Sequence, residues 1–147
     1  MSTARAEQAG RTEWTLLFLS WLIASVATLG SLFFSEVMAL PPCVLCWYQR
    51  IAIFPLVLVL GAGLVSFDRG VVKYSLPLAV AGWLVALYHT LLYAGVLPKD
   101  IQPCTGGVSC TERNLDLFGF VSIPLLSLLA LSAMVALLIM LWRRISR

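Results

Sequence analysis

Charged residues divide the chain into four long uncharged stretches of 22, 17, 25 and 26 residues. The stretches follow Glu13, Arg50, Lys73 and Asp116. Because a helix needs about 20 mostly apolar residues to cross the hydrocarbon core of a bilayer, this pattern predicts four membrane-spanning helices. They are expected at Trp14–Phe34, Trp47–Val65, Tyr74–Gly95 and Phe118–Trp142. The period-2 alternation of transmembrane strands is missing from these stretches, which favours an all-α four-helix bundle.

The composition supports a membrane protein. Of the 147 residues, 61% are hydrophobic and 12% are charged, and the mean hydropathy is +0.95. A soluble domain carries about 25% charged residues, so these values exclude a soluble enzyme and a disordered tail. The net charge of +3 is too small to indicate a nucleic-acid partner. We expect residues 1–147 to form one integral membrane domain.

The positions of Lys and Arg predict the orientation in the membrane. Seven cations lie in the N-terminal segment, the connection between the second and third helices, and the C-terminal segment: Arg5, Arg11, Arg69, Lys73, Arg143, Arg144 and Arg147. Since such residues are enriched on the cytoplasmic side, both termini are expected there. Residues 35–46 and 96–117 then form extracytoplasmic loops. The first span exceeds a signal-peptide core and lacks a following A-x-A site, so it is expected to be retained.

All four cysteines fall in these two outer loops. Cys43 and Cys46 form a C-x-x-C pair at the start of the second helix, whereas Cys104 and Cys110 lie in the second loop. Thiols on the oxidising side of a membrane tend to form disulfides, and four cysteines allow three pairings. Pairing within each loop would give two small rings, which are typical of exchangeable rather than stabilising disulfides. A helix N-terminus also favours the reactive thiolate.

Two other interpretations of the four cysteines remain open. They could be static staples of the loops, or they could form a four-thiolate zinc site. The second pair has a C-x5-C spacing, which exceeds the C-x2-4-C spacing usual in zinc sites, so no metal is expected.

Arg50 and His89 are the candidate ligand-binding residues. Arg50 lies one turn after Cys46, about 6 Å deeper in the membrane, and His89 lies about 9 Å below the outer end of the third helix. His89 shares a helix face with the small residues Gly82 and Ala86, and small residues mark helix contacts, so it is expected to point inward. Separately, Arg50 could reach the headgroups and His89 could be a core residue. Together beneath a thiol pair, they indicate a pocket for a lipid-soluble quinone.

The motifs that carry this chemistry resemble the DsbB family of membrane disulfide-forming proteins. The resemblance rests on Pro42–Ile51 (PCVLCWYQRI) and on Pro103–Cys110 (PCTGGVSC). The second motif, with its close cysteines, is similar to the BdbC-type branch, as are Phe118–Phe120 and Ile123-Pro124. The likeness covers essentially the whole chain.

The resemblance implies a thiol:quinone oxidoreductase of the bacterial cytoplasmic membrane. It would reoxidise an extracytoplasmic thioredoxin-fold thiol oxidase (DsbA- or BdbD-like) and pass the electrons to menaquinone or ubiquinone. Cys104 would form the mixed disulfide with the oxidase, and Cys110 would exchange with Cys43. Cys46 would be the thiolate next to the quinone, which Arg50 and His89 would support.

The chain departs from the enterobacterial pattern at Gln49, where that pattern has an acidic residue, and in the shorter spacing of the second cysteine pair. Three alternative functions are open: a quinol-dependent reductase running in reverse, as in the vitamin K epoxide reductase type, a non-catalytic subunit stapled by disulfides, and a transporter. The last is disfavoured because no acidic residue lies within a span.

Overall fold

The computed structural model describes residues 2–66, 68–98, 116–117 and 121–146. Within them lie four long helices and one small strand pair. The helices are α1 (Ser2–Leu32), α2 (Val44–Ser66), α3 (Val72–Tyr93) and α4 (Ile123–Ile145). The strands β1 (Asp116–Leu117) and β2 (Val121–Ser122) pair antiparallel just before α4.

The four helices pack in a ring, in which α1 contacts α2, α2 contacts α3, α3 contacts α4, and α4 contacts α1. Their shared core is apolar: Leu56, Leu60, Leu131, Met134 and Leu138 are fully buried. Large apolar side chains on the outside, such as Leu58 and Val65, are mostly exposed. A helix bundle that is apolar on both its inner and outer faces suits a lipid environment.

All four helices are long and apolar enough to cross a membrane. The candidate spans are Gly10–Val37, Val44–Ser66, Arg69–Tyr93 and Ile123–Ile145. The predicted all-α four-helix membrane fold is therefore confirmed.

The starts of α2 and α4 differ from their predicted positions in ways that affect the site and the turn before α4. α2 begins at Val44 rather than Trp47, so Cys46 lies in its first turn. α4 begins at Ile123 rather than Phe118, because Val121 and Ser122 pair with β1 and Ser122 has an extended backbone. Pro124 then lies in the first turn of α4, where its missing N–H costs no helical hydrogen bond.

α1 is longer than predicted, and its outer end changes form. Residues Phe33–Val37 make a π-helical turn, in which the Met38 N–H donates to the Phe33 carbonyl over 3.2 Å. Ala39 follows with a φ of 52°, in the left-handed region. Leu40, Pro41 and Pro42 then lead directly to Cys43. The expected outer loop at residues 35–46 is therefore partly helical at both ends.

A tight turn and an ion pair join the helices at the opposite end of the bundle. A 3-10 helix at Arg69–Val71 connects α2 to α3, and the Asp68 carboxylate accepts from the Gly70 N–H over 2.7 Å. Arg69 Nε lies 3.2 Å from the Glu13 carboxylate, which is 92% buried. This pair attaches the connection to α1.

The close approach of α2 and α3 depends on the missing side chain at Gly82. A Cβ at Gly82 would lie 2.9 Å from the Ala52 Cβ, so a side chain there would push the two helices apart. We expect Gly82→Leu to lower the free energy of unfolding by about 1–3 kcal/mol, as overpacking does. Thermal unfolding in detergent measures the change. Gly10→Leu is the matched control, because nothing lies within 4 Å of a Cβ at Gly10; equal losses in the two variants would contradict the prediction.

Candidate functional site

The Cys43 and Cys46 side chains meet at the start of α2. One helical turn separates the two residues, and their Sγ atoms lie 2.9 Å apart. The Cys46 backbone N–H donates to Cys43 Sγ over 3.4 Å, as an N–H of the first helical turn can, because it has no partner within the helix. Both thiols are free; Cys43 is buried and Cys46 is half-buried.

His89 brings α3 to this cysteine pair. Its Nε2 lies 3.8 Å from Cys43 Sγ, and its Nδ1 lies 3.3 Å from Nε2 of the Gln49 side chain. His89 is 3% exposed, and Ala86 on the same helix face lies in the apolar core. His89 therefore points inward, as its spacing from Gly82 and Ala86 predicts.

These contacts lower the pKa of the Cys43 thiol well below its ordinary value. The largest cause is the hydrogen bond from Cys46, with further contributions from His89 and the Cys46 backbone N–H, whereas burial acts in the opposite direction. In the reduced pair, the Cys43 sulfur is therefore the better acceptor of hydrogen bonds and the better nucleophile.

Arg50 lies one turn beyond Cys46 and is held by α1. Its Nε donates to Ser31 Oγ over 2.8 Å, and its Nη2 donates to the Ser31 carbonyl over 2.7 Å. The guanidinium also lies 5.4 Å from the centroid of the Trp47 ring, within cation–π range. Arg50 is 9% exposed, so it lies inside the bundle rather than extending towards the headgroups.

An open cleft of about 960 Å³ connects these groups. Side chains of α1, α2 and α4 form most of its wall, which is apolar along Leu22, Val26, Leu126 and Leu129. Its polar groups are gathered at one end, where Cys43, Cys46, Ser31, Gln49, Arg50 and His89 line it. Such a cleft, mostly apolar with a few polar groups together, is typical of a ligand site.

The same atoms do not have the spacing of a zinc site. The two sulfurs and a His89 ring nitrogen lie within 4.8 Å of one another. Two sulfurs bound to one tetrahedral zinc at about 2.3 Å would be about 3.8 Å apart, whereas these are 2.9 Å apart.

Comparison with known proteins identifies the family. The family model described as disulfide bond formation protein DsbB matches residues 11–141. This chain belongs to the DsbB family. The predicted resemblance is therefore confirmed, and membership implies a disulfide-forming oxidoreductase.

Several relatives of this DsbB-family chain align over most of their length. A "probable disulfide formation protein" of Metapseudomonas resinovorans is 48% identical over 132 residues, which cover 89% of this chain and 92% of the relative. "Disulfide bond formation protein C" of Bacillus subtilis is 45% identical over 114 residues, or 78% of this chain and 83% of that protein. A Coxiella burnetii relative is 44% identical over 126 residues, covering 84% and 85%. No solved structure matches the chain.

Four of the predicted DsbB site residues lie together in the structure: Cys43, Cys46, Arg50 and His89. Cys104 and Cys110 lie outside the described residues. The roles assigned to all six stay predictions. That assignment makes Cys46 the thiolate next to the quinone, whereas the contacts of the reduced pair favour the thiolate on Cys43.

Two further residues, Ser31 and Gln49, contact the predicted residues of this DsbB site. Ser31 is one of several small polar residues on α1, and nothing in the sequence distinguishes it from Ser25 or Ser35. Gln49 does carry a signal, because it replaces an acidic residue of the enterobacterial pattern and follows Cys46 by three positions, on the same face of a helix.

The lowered pKa of Cys43 predicts unusual reactivity of the reduced DsbB-family protein. A free cysteine has a pKa of about 8.5 and is mostly protonated at neutral pH. Because only the thiolate reacts, we expect Cys43 to be alkylated by iodoacetamide at an undiminished rate down to about pH 6. Mass spectrometry of the Cys43 peptide across pH measures the midpoint.

Cys46→Ala is the informative variant for this measurement, because it removes the largest cause of the lowered pKa. We expect it to shift the alkylation midpoint of Cys43 to higher pH. A wild-type midpoint of about 8.5, or an unchanged midpoint in Cys46→Ala, would contradict the lowered pKa of Cys43 or its cause.

Proposed function

We propose that this DsbB-family protein reoxidises an extracytoplasmic thioredoxin-fold thiol oxidase and transfers the electrons to a membrane quinone. The observation that carries the proposal is the position of the Cys43–Cys46 pair at the polar end of the apolar cleft. One side of the pair can meet a protein thiol at the membrane surface, and the other faces a space open to a lipid-soluble molecule.

The electron path consists of balanced thiol–disulfide exchanges. A partner dithiol attacks the Cys104–Cys110 disulfide, leaving the partner as a disulfide and that pair as two thiols. The Cys104–Cys110 dithiol then reduces the Cys43–Cys46 disulfide, so two electrons and two protons arrive at the start of α2. Each step breaks one disulfide and forms another, and no oxidant is consumed until the electrons leave Cys43 and Cys46.

The cleft residues fit a quinone as the final acceptor. The chemistry that a quinone supplies when bound is the acceptance of two electrons and two protons. Arg50 would hold one ring oxygen, because its guanidinium lies in the cleft wall with a fixed direction set by Ser31. His89 would orient the Cys43 sulfur and hold a proton next to it. The apolar wall between α1 and α4 would bind the ring and its isoprenoid tail.

The charge distribution supports a bacterial cytoplasmic membrane orientation with both termini inside. Arg143 and Arg144 close α4, and Arg69 lies at the same end of the bundle as the start of α1. The cysteine pair lies at the opposite end of α2. Under the positive-inside rule, the cysteines and the loop at residues 96–117 would face the extracytoplasmic side.

The first test follows quinone absorbance in detergent with a reduced thioredoxin-fold oxidase and a short-chain quinone. We expect quinone loss that requires the oxidase, and complete loss of turnover in Cys43→Ser and Cys46→Ser, since neither can form the disulfide. Leu58→Ala, on the outer face, controls for nonspecific effects of substitution and purification, and it should retain wild-type turnover.

Other outcomes of this test identify the competing functions. Oxidation of added quinol with reduction of the partner would indicate a reductase running in reverse. Quinone that stays oxidised, together with cysteines that resist mild reductant, would indicate a subunit stapled by disulfides. Wild-type turnover in Cys43→Ser would contradict the proposed electron path.

The Arg50–Ser31 contact predicts an effect on quinone binding. Ser31→Ala removes the acceptor of the Arg50 Nε hydrogen bond, so the guanidinium is held less firmly in the cleft wall, and misplacement of a positioning group by about 1 Å can cost about 100-fold. We expect the KM for quinone to rise about tenfold or more, with a smaller change in kcat. Ser20→Ala is the matched control, because the Ser20 hydroxyl donates to the Leu16 carbonyl of its own helix. Equal KM values in the two variants would contradict a role for Ser31.

A further inference from the structure

We propose that Gln49 is a positioning residue that fixes the tautomer of His89, so that the Nε2–H of the imidazole always faces the Cys43 sulfur. The inference deepens the proposed function, on which its catalytic meaning rests, but the contact itself is independent of the partner and the quinone. Gln49 touches neither reacting sulfur in any described hydrogen bond and acts through His89.

The geometry is a line of three buried side chains. Gln49 Nε2 lies 3.3 Å from His89 Nδ1, and His89 Nε2 lies 3.8 Å from Cys43 Sγ. Gln49 is 6% exposed and His89 is 3% exposed. With so little access to water, each ring nitrogen depends on the protein for its partner.

The contacts of the Cys43 sulfur determine the direction of the hydrogen bonds that pass through His89. The Cys46 backbone N–H can only donate, and it points at this sulfur. The Cys46 thiol lies 2.9 Å away on another side. A sulfur approached in this way acts as an acceptor, so the His89 nitrogen facing it serves best as a donor. This requires the proton of a neutral imidazole to be on Nε2, which leaves Nδ1 with a lone pair.

Only a donor can satisfy that lone pair, and residue 49 supplies one. The NH2 group of a glutamine side chain donates to Nδ1, whereas a glutamate carboxylate could only accept. If the Gln49 amide were turned round, its oxygen would accept from Nδ1–H, and Nε2 of the neutral ring would then present a lone pair to the sulfur. The identity and orientation of one amide therefore determine whether Cys43 receives a hydrogen bond from His89.

The test uses the fact that His89 is the sole histidine of the chain. Reduced protein in detergent micelles, labelled with ¹⁵N in the imidazole ring, gives one pair of ring nitrogen signals, whose shifts distinguish protonated from unprotonated nitrogens. We expect a protonated Nε2 and an unprotonated Nδ1 in the wild type. A wild-type Nδ1–H would overturn the proposal by itself, without any variant.

Gln49→Glu tests the cause with an almost identical shape. The carboxylate accepts only, so we expect Nδ1 to become protonated, whether as the cation or as the other neutral tautomer. Tyr48→Phe, an exposed neighbour on α2, is the control and should leave both signals in place. Unchanged ring signals in folded Gln49→Glu would overturn the proposal.

A second readout measures the consequence at the sulfur. In Gln49→Leu, Nδ1 has no donor, the tautomers mix, and Cys43 loses part of its hydrogen bond. We expect the alkylation midpoint of Cys43 to rise by about 0.4–1.1 pH units, the shift that corresponds to a hydrogen bond of about 0.5–1.5 kcal/mol. An unchanged midpoint would overturn the link to Cys43. Neither readout uses turnover, so a failed electron path and a failed tautomer assignment give different results.

Discussion

The constraint on which the site depends is the satisfaction of polar groups within an apolar bundle. A guanidinium in a transmembrane helix is costly unless its donors have partners, and Arg50 obtains two of them from a single residue of another helix, Ser31. This arrangement ties α2 to α1 at the level where the cleft lies. At the polar end of the cleft, the side chains that join α1 to α2 also line the cleft.

The cysteine pair lies at the N-terminal end of α2, where the backbone changes from loop to helix. Cys43 lies just before α2 and Cys46 lies in its first turn, so a backbone N–H without a helical partner is available to the sulfur. The imidazole from α3 adds a contact from the side. A thiol pair in this position combines access from the membrane surface with the low-polarity surroundings of the bundle, which strengthen each hydrogen bond.

Much of the fold and part of the site could be predicted from the sequence, because both follow from local patterns. Uncharged stretches of about 20 residues predict spans, and the spacing of Gly82, Ala86 and His89 predicts an inward-facing ring, which the structure has. The start of α4 was less predictable, since the pairing of Val121 and Ser122 with β1 is not encoded in hydropathy. The role of Ser31 could not be predicted for a different reason. Its partner Arg50 is 19 positions away on another helix, and the periodicity of one helix carries no information about contacts with another.

The linker between α1 and α2 limits how far Cys43 can move. After the wide π-helical turn, Ala39 adopts a left-handed backbone conformation, and two prolines with fixed φ lead into Cys43. A tether this short and stiff gives the first cysteine little freedom to travel. Any sulfur that exchanges with Cys43 must therefore move to it, because Cys43 and the start of α2 stay in place.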